Sequence, residues 1–229
     1  MLAERYEKVK ESIAEACRAC GRDPSEVVLV AVSKTRTEEE IKELYDLGQR
    51  DFGENYVQEL VRKAEALPKD IRWHMIGHLQ KNKVKYIAPF IYMIHSVDSE
   101  ALALKIGAEA VKHGRTVPVL AEVNVAGEES KFGVAPEEAN ALALKMSGIE
   151  GILFSGYMTS APYVEDPLDD APVFRKLREL SVDSPLKNID NCSRCILSMG
   201  MSNDYKVAIS EGSTMVRVGT DIFGARNYA

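Results

Sequence analysis

The run Val27-Val28-Leu29-Val30-Ala31-Val32-Ser33-Lys34-Thr35 is apolar and rich in β-branched residues until it stops at a lysine. It is too short to span a membrane as a helix and reads as a strand buried on both faces, as strands of a parallel sheet are. Lys34 then stands at the carboxyl end of that strand. Parallel α/β folds bind ligands at this edge, because the loops leaving the strands form the concave face. The bland alternative is a lysine that marks where the strand meets water. A second run, Met215-Val216-Arg217-Val218-Gly219-Thr220, tips the balance, with an arginine in its middle and a Gly-Thr at its exit. An amine and an anion cradle on one face point to a phosphorylated aldehyde as ligand.

Outward from these runs, helical and extended patterns alternate. Leu2, Tyr6, Val9, Ile13 and Cys17 recur at helical spacing, and Gly21-Arg22-Asp23-Pro24 stops that first helix. After the Lys34 strand, Thr37-Glu38-Glu39-Glu40 has the form of a capping box, with Ile41, Leu44 and Leu47 as the apolar face before Gly48. A short strand follows at 51–53, the weakest of the set, then a helix opened by Asn55. Further strands are expected at 72–77, 91–96, 117–124, 151–156, 196–199 and 214–219. Helices are expected between them at 79–88, 99–113, 136–146, 172–180 and 204–209. About eight strand–helix units is the count of a (β/α)8 barrel, whereas a doubly wound sheet usually stops near six. The fold class is therefore α/β, a single TIM-type barrel fronted by an extra N-terminal helix. No linker-like stretch or repeat divides residues 1–229, so one domain is expected.

A formal net charge of -6 argues against a nucleic-acid surface, which usually carries a basic patch. No apolar stretch approaches the ~18 residues of a membrane span. Met1 leads into Leu2-Ala3-Glu4-Arg5-Tyr6-Glu7 rather than a signal sequence, so a cytoplasmic protein is expected. The four cysteines form two C-x-x-C pairs, Cys17/Cys20 and Cys192/Cys195. Their separation is far from that of a compact zinc ribbon, and a reducing compartment disfavours permanent disulfides. Ordinary packing is the expectation, with no metal. Both pairs are expected on the face opposite the ligand.

On the barrel reading, the strand exits collect Lys34, Glu54-Asn55, Gly77-His78, Asn124, Tyr157-Met158-Thr159, Ser202 and Gly219-Thr220. A lysine near another cation and away from bulk water has its pKa lowered, which suits it to form a Schiff base with a carbonyl. Arg217 is a source of that second charge. Gly219 and Thr220 leave the last strand and Ser202 follows the one before, where barrels often bind phosphate with backbone N–H groups and hydroxyls. A guanidinium inside a strand of Met and Val is costly without an acceptor. Either a neighbouring carboxylate pairs with Arg217, or the arginine bonds a ring nitrogen of a bound cofactor.

Five stretches carry a resemblance: Val30-Ala31-Val32-Ser33-Lys34-Thr35, Phe52-Gly53-Glu54-Asn55-Tyr56-Val57-Gln58-Glu59, Trp73-His74-Met75-Ile76-Gly77-His78-Leu79-Gln80-Lys81-Asn82-Lys83, Leu197-Ser198-Met199-Gly200-Met201-Ser202 and Gly212-Ser213-Thr214-Met215-Val216-Arg217-Val218-Gly219. Together they resemble the pyridoxal phosphate homeostasis protein family, over roughly residues 28–228. The resemblance implies a barrel like the alanine racemase N-terminal domain, with pyridoxal 5'-phosphate (PLP) held as a Schiff base on Lys34. It further implies phosphate contacts from Ser202, Gly219 and Thr220, Arg217 facing the pyridine nitrogen, and Asn55 near the ring. Two departures stand out. Tyr157 replaces a leucine usual beside the methionine, which bears on how the cofactor face packs, and residues 188–194 match no family motif.

The expected function is PLP binding in the cell's vitamin B6 supply and amino-acid balance, without a catalytic residue to name. The partners expected are PLP and apo-PLP enzymes as recipients, with no nucleic acid or membrane, and the chain is expected to be a monomer. One rival is a PLP-dependent racemase. Racemization needs acid–base groups on both faces of the cofactor, and alanine racemases draw the second from an additional domain for which no sequence is seen after Thr220. The other rival is a cofactor-free Schiff-base aldolase, which would lack colour.

Overall fold

Strand pairing follows chain order all the way round. β1 (Val28–Val32), β2 (Asp51–Glu54), β3 (Arg72–Met75), β4 (Met93–Val97), β5 (Val117–Glu122), β6 (Ile152–Met158), β7 (Ile196–Ser198) and β8 (Met215–Val218) are parallel, and β8 pairs back onto β1 to close the barrel. The structure is a computed structural model that describes residues 1–128, 130–184 and 195–225. The expected (β/α)8 barrel is thus the fold found, and the short strand at Asp51–Glu54 is one of its staves.

Helices alternate with these strands: α1 (Leu2–Ala19), α2 (Glu38–Asp46), α3 (Val57–Ala66), α4 (Val84–Ile87), α5 (Glu100–Lys112), α6 (Pro136–Ser147), α7 (Ala171–Val182), α8 (Tyr205–Ser210) and α9 (Thr220–Phe223). The Thr37 capping box forms as expected, its hydroxyl accepting the Glu40 N–H while the Glu40 carboxylate accepts the Thr37 N–H. Three boundaries differ from the sequence reading. The helix expected at 79–88 is a 3-10 turn, Lys81–Lys83, followed by the single turn α4. Asn55 does not open α3, because Tyr56 is its N-cap. The helix expected from residue 204 begins at Tyr205, with Asp204 in the N-cap position and Ser202 ahead of it.

Alternation along the strands separates two cores. The larger one fills the space between barrel and helices and takes Ala31, Phe52, Trp73, Met75, Leu197, Val216 and Val218 from the strands. The smaller one, Val30, Met93, Leu120, Met158 and Met215, lies inside the barrel. Asp51, His74, His95, Ser198 and Arg217 are buried as well and continue the same inward-facing alternation. β1 departs from the both-faces-buried reading at its ends. Val28 is 36% exposed where the strand enters, and Val32 lines the cleft at its exit.

Candidate functional site

A cleft of about 490 Å³ opens at the carboxyl ends of the strands. Lys34, Asn55, Ser202, Arg217, Gly219 and Thr220, the six residues picked out from sequence, all line it. Arg36, Tyr163, Asn203 and Asp221 line it too, and the sequence reading omitted them.

Lys34 sits just past β1 in a turn that is anchored on both sides. The Ser33 hydroxyl donates to Glu54 Oε1 at 2.6 Å, and the Ser33 carbonyl accepts from Lys63 Nζ at 2.7 Å. On the other side the Thr35 N–H donates to Glu59 Oε1 at 2.7 Å. Lys63, fully buried, ties both carboxylates together at 2.8 Å from Glu54 and 2.6 Å from Glu59. Burial raises the Glu54 carboxyl above its usual range, although Lys63 and the Ser33 hydroxyl pull the other way. Thr35 adopts φ 63, a left-handed conformation that β-branched residues rarely take, so this cluster holds the turn in a strained shape.

Arg217 is 4% exposed. Its Nη1 donates to the Ser198 carbonyl at 2.7 Å and hydroxyl at 2.8 Å, and its Nη2 donates to the Thr159 carbonyl at 2.8 Å and the Ser160 hydroxyl at 3.3 Å. Among the described residues no carboxylate pairs with it, so the salt-bridge reading is set aside: neutral oxygens satisfy both Nη groups. No acceptor among those residues bonds Nε. Burial lowers the guanidinium to about 10, opposed by the more distant Asp204 and Glu122, and it stays charged at neutral pH.

At the other end of the cleft the Gly219 N–H donates to Ser202 Oγ at 3.4 Å. A methyl at Gly219 would lie 3.2 Å from both Cβ and the carbonyl oxygen of Val32, so the chain passes the cleft wall where a side chain crowds. The turn is held from behind. Arg5 donates to the Ile222 and Phe223 carbonyls at 2.8 and 3.2 Å, and Arg36 donates to the Gly224 carbonyl at 2.5 Å. The extra N-terminal helix therefore braces the site. Gly77 lets the chain pass close against Asn55, since a methyl at Gly77 would meet the Asn55 carbonyl oxygen at 2.6 Å.

Other strand-exit residues do different work. Tyr157 is fully buried and turns outward, donating to Asn140 of α6, so its replacement of leucine affects the helix layer rather than the cofactor face. Asn124 donates to the Glu128 and Lys131 carbonyls and braces its own loop. His78 stacks on Phe132 with ring centroids 3.9 Å apart. Cys17 is buried in the core, with its thiol pushed up by burial, and the Cys20 thiol donates to the Ala16 carbonyl at 3.2 Å. Cys195 leads into β7, while Cys192 and all of 188–194 lie outside the described residues. Among the described residues no His, Cys, Asp or Glu group of three or more could hold a metal ion. Nor is any helix there long and apolar enough to cross a membrane.

The donor set fits PLP. An aldehyde needs an amine, a phosphate dianion needs amides and hydroxyls beside a residue without a side chain, and a pyridine nitrogen needs a polar partner. Lys34, the Ser202/Gly219/Thr220 turn and Arg217 supply these around one cleft, whose volume is within the roughly 300–1,000 Å³ of small-ligand sites.

Comparison with known proteins gives the same direction. Residues 7–227 match the family described as "Alanine racemase, N-terminal domain". The chain is 46% identical to the pyridoxal phosphate homeostasis protein of Aquifex aeolicus, with 98% of each chain covered. It is 41% identical to the protein of the same name from Pseudomonas aeruginosa, over 99% of this chain and 96% of the other. Among solved structures, PipY of Synechococcus elongatus PCC7942 with PLP bound superposes with a TM-score of 0.82 at 33% identity, covering 98% of this chain and 100% of that one. An alanine racemase from Clostridium difficile 630, at 14% identity and a TM-score of 0.70, shares the fold and is covered over 56% of its length. The chain belongs to the pyridoxal phosphate homeostasis protein family.

Proposed function

We propose that this protein is a single-domain, monomeric carrier of PLP in the cytoplasm, serving PLP homeostasis and amino-acid balance, and that it holds the cofactor as a Schiff base on Lys34. The observation that supports this most is the gathering of Lys34, Arg217 and the Ser202/Gly219/Thr220 turn around one cleft. Relatives named for PLP homeostasis and a PLP-bound relative add weight.

When bound, PLP supplies an aldehyde for the lysine amine and an electron-withdrawing ring. The Ser202 and Thr220 hydroxyls and the Gly219 and Thr220 amides hold the phosphate, and Gly219 lets this turn pass close to Val32. Asn55 borders the ring. Arg217 has donors only and keeps its proton, so it bonds a ring nitrogen that carries none, through the Nε–H its other bonds leave over. An unprotonated ring is a weaker electron sink, which suits holding and release better than broad amino-acid chemistry.

The competing reading, an amino-acid racemase, draws on Tyr163, which lines the cleft and is 86% exposed, as an acid–base group. One experiment separates them. Holo-protein is incubated with a panel of L- and D-amino acids while enantiomer ratio and keto-acid formation are followed, and PLP delivery to an apo-enzyme is measured in parallel. The carrier reading expects delivery without turnover. Racemization or transamination faster than ~1 s⁻¹, the lower end of ordinary enzyme rates, overturns it even if PLP is also delivered.

A further inference from the structure

A column of hydrogen bonds runs through the inside of the barrel from the strand entries to the cleft. At its foot the Arg72 guanidinium pairs with the Asp51 carboxylate through Nε and Nη2. Asp51 Oδ1 lies 3.0 Å from His74 Nε2, and His74 Nδ1 lies 2.9 Å from His95 Nε2. His95 Nδ1 lies 2.9 Å from Ser198 Oγ, which in turn accepts from Arg217 Nη1 at 2.8 Å. Both imidazoles and Ser198 are wholly buried.

The two ends dictate the direction of every bond between them. A carboxylate only accepts and a guanidinium only donates, while a neutral imidazole has one donor and one acceptor nitrogen. Asp51 takes the proton-bearing nitrogen of His74, Nε2, which leaves Nδ1 to accept. His95 must then donate from Nε2 and accept at Nδ1. Ser198 spends its one proton on His95 and turns a lone pair to Arg217. The opposite assignment would set a bare His74 nitrogen against the carboxylate. Burial holds both rings below the ordinary histidine pKa, against the pull of Asp51 on His74, and the Arg217 charge presses His95 further down, so both stay neutral.

We propose that His95, with His74 behind it, is a positioning residue for the cofactor: the column presents Arg217 with an oriented acceptor that fixes its guanidinium without a counter-charge. A carboxylate in direct contact would pair with the arginine and draw its field away from the cleft. The column instead keeps the nearest carboxylate in its path, Asp51, three side chains away. This rests on the reading of Arg217 as the ring contact.

The test is a double-mutant cycle on holo-protein, read by PLP affinity and by the visible absorbance band of the bound cofactor. Ser198→Ala and His95→Leu are expected to shift the band and weaken PLP about tenfold, the scale of one hydrogen bond to a charged group. His95→Gln, which keeps a donor and an acceptor, recovers part of the loss. In an Arg217→Leu background the same substitutions add nothing, because their effect passes through the arginine. Band shifts that persist undiminished in that background overturn the proposal, as does an unchanged band in the single variants when Arg217→Leu alone shifts it. A band and affinity indifferent to Arg217→Leu, with Lys34 still trapping PLP, instead mark failure of the ring-contact reading. Nitrogen-15 NMR of the unaltered holo-protein needs no variant to fold. His95 protonated only at Nε2 agrees with the column, and a proton at Nδ1 overturns it.

Discussion

Lys34 and Arg217 line the same cleft, yet the protein supports them in opposite ways. Behind Lys34 stands an ionic cluster on the outer side of the barrel wall, Lys63 between Glu54 and Glu59, and its bonds go to the backbone on either side, at Ser33 and Thr35. Behind Arg217 stands a neutral column inside the barrel, and its bonds go to the guanidinium itself. The difference follows from what each group does in the proposed function. An amine that forms and breaks a covalent bond needs a fixed point of attachment and a side chain that can move. A guanidinium that recognises a ring edge needs its plane fixed and its charge left unpaired.

The contrast is broken most severely at Lys63. Lys63→Met leaves two carboxylates facing each other with no cation between them, and removing one partner of a buried ion pair costs about 3–5 kcal/mol. Urea denaturation should show a loss of that size, and a loss under about 1 kcal/mol would mean the cluster is not what holds the Lys34 turn. Arg217→Leu is expected to do the reverse. It removes a buried charge whose acceptors are neutral, so apo-protein stability falls by no more than about 1–2 kcal/mol while PLP affinity drops about tenfold or more. Equal loss of stability with unaltered PLP binding would make Arg217 a structural residue.

Smaller effects sharpen the comparison. Thr35→Gly removes the left-handed penalty at φ 63, worth about 1 kcal/mol, and should leave melting temperature level or raised; a clear drop would show that the threonine side chain contributes more than the strain takes away. The least effect is on pH dependence at the foot of the column. Burial alone would raise the Asp51 carboxyl, but its bonds from His74 and Arg72 more than reverse this, so its pKa is lowered from 3.8. A carboxyl lowered in the folded state contributes stability that is present above its unfolded pKa and lost as pH falls through the folded one. Asp51→Asn should therefore flatten the stability loss below about pH 4. Parallel acid limbs in the two proteins would contradict the column's anchoring role.

The barrel was legible because the apolar runs and helical periodicities alternate about eight times, and the six cleft residues were legible because strand exits converge in such a fold. The scaffolds behind them were harder to read. Glu59 and Lys63 stand one helical turn apart and look like an ordinary surface pair, and nothing local says that Glu54 lies beside them. His74 and His95 occupy inward positions of two apolar strands, a period-two signal visible in Trp73-His74-Met75 and Ile94-His95-Ser96. What they bond depends on barrel closure, which brings β7 and β8 round to them. The direction of Tyr157 is hidden for a related reason. A bulge in the β5–β6 pairing between Val119 and Leu120 shifts the register there, and the ring faces the helices.

The central claim is that Lys34 is the residue that holds PLP. Holo-protein reduced with borohydride and digested should yield, by peptide mass mapping, a pyridoxyl group on the peptide containing Lys34, and Lys34→Ala protein should yield none and be colourless. A pyridoxyl group confined to another lysine, or full colour in Lys34→Ala, would contradict the account.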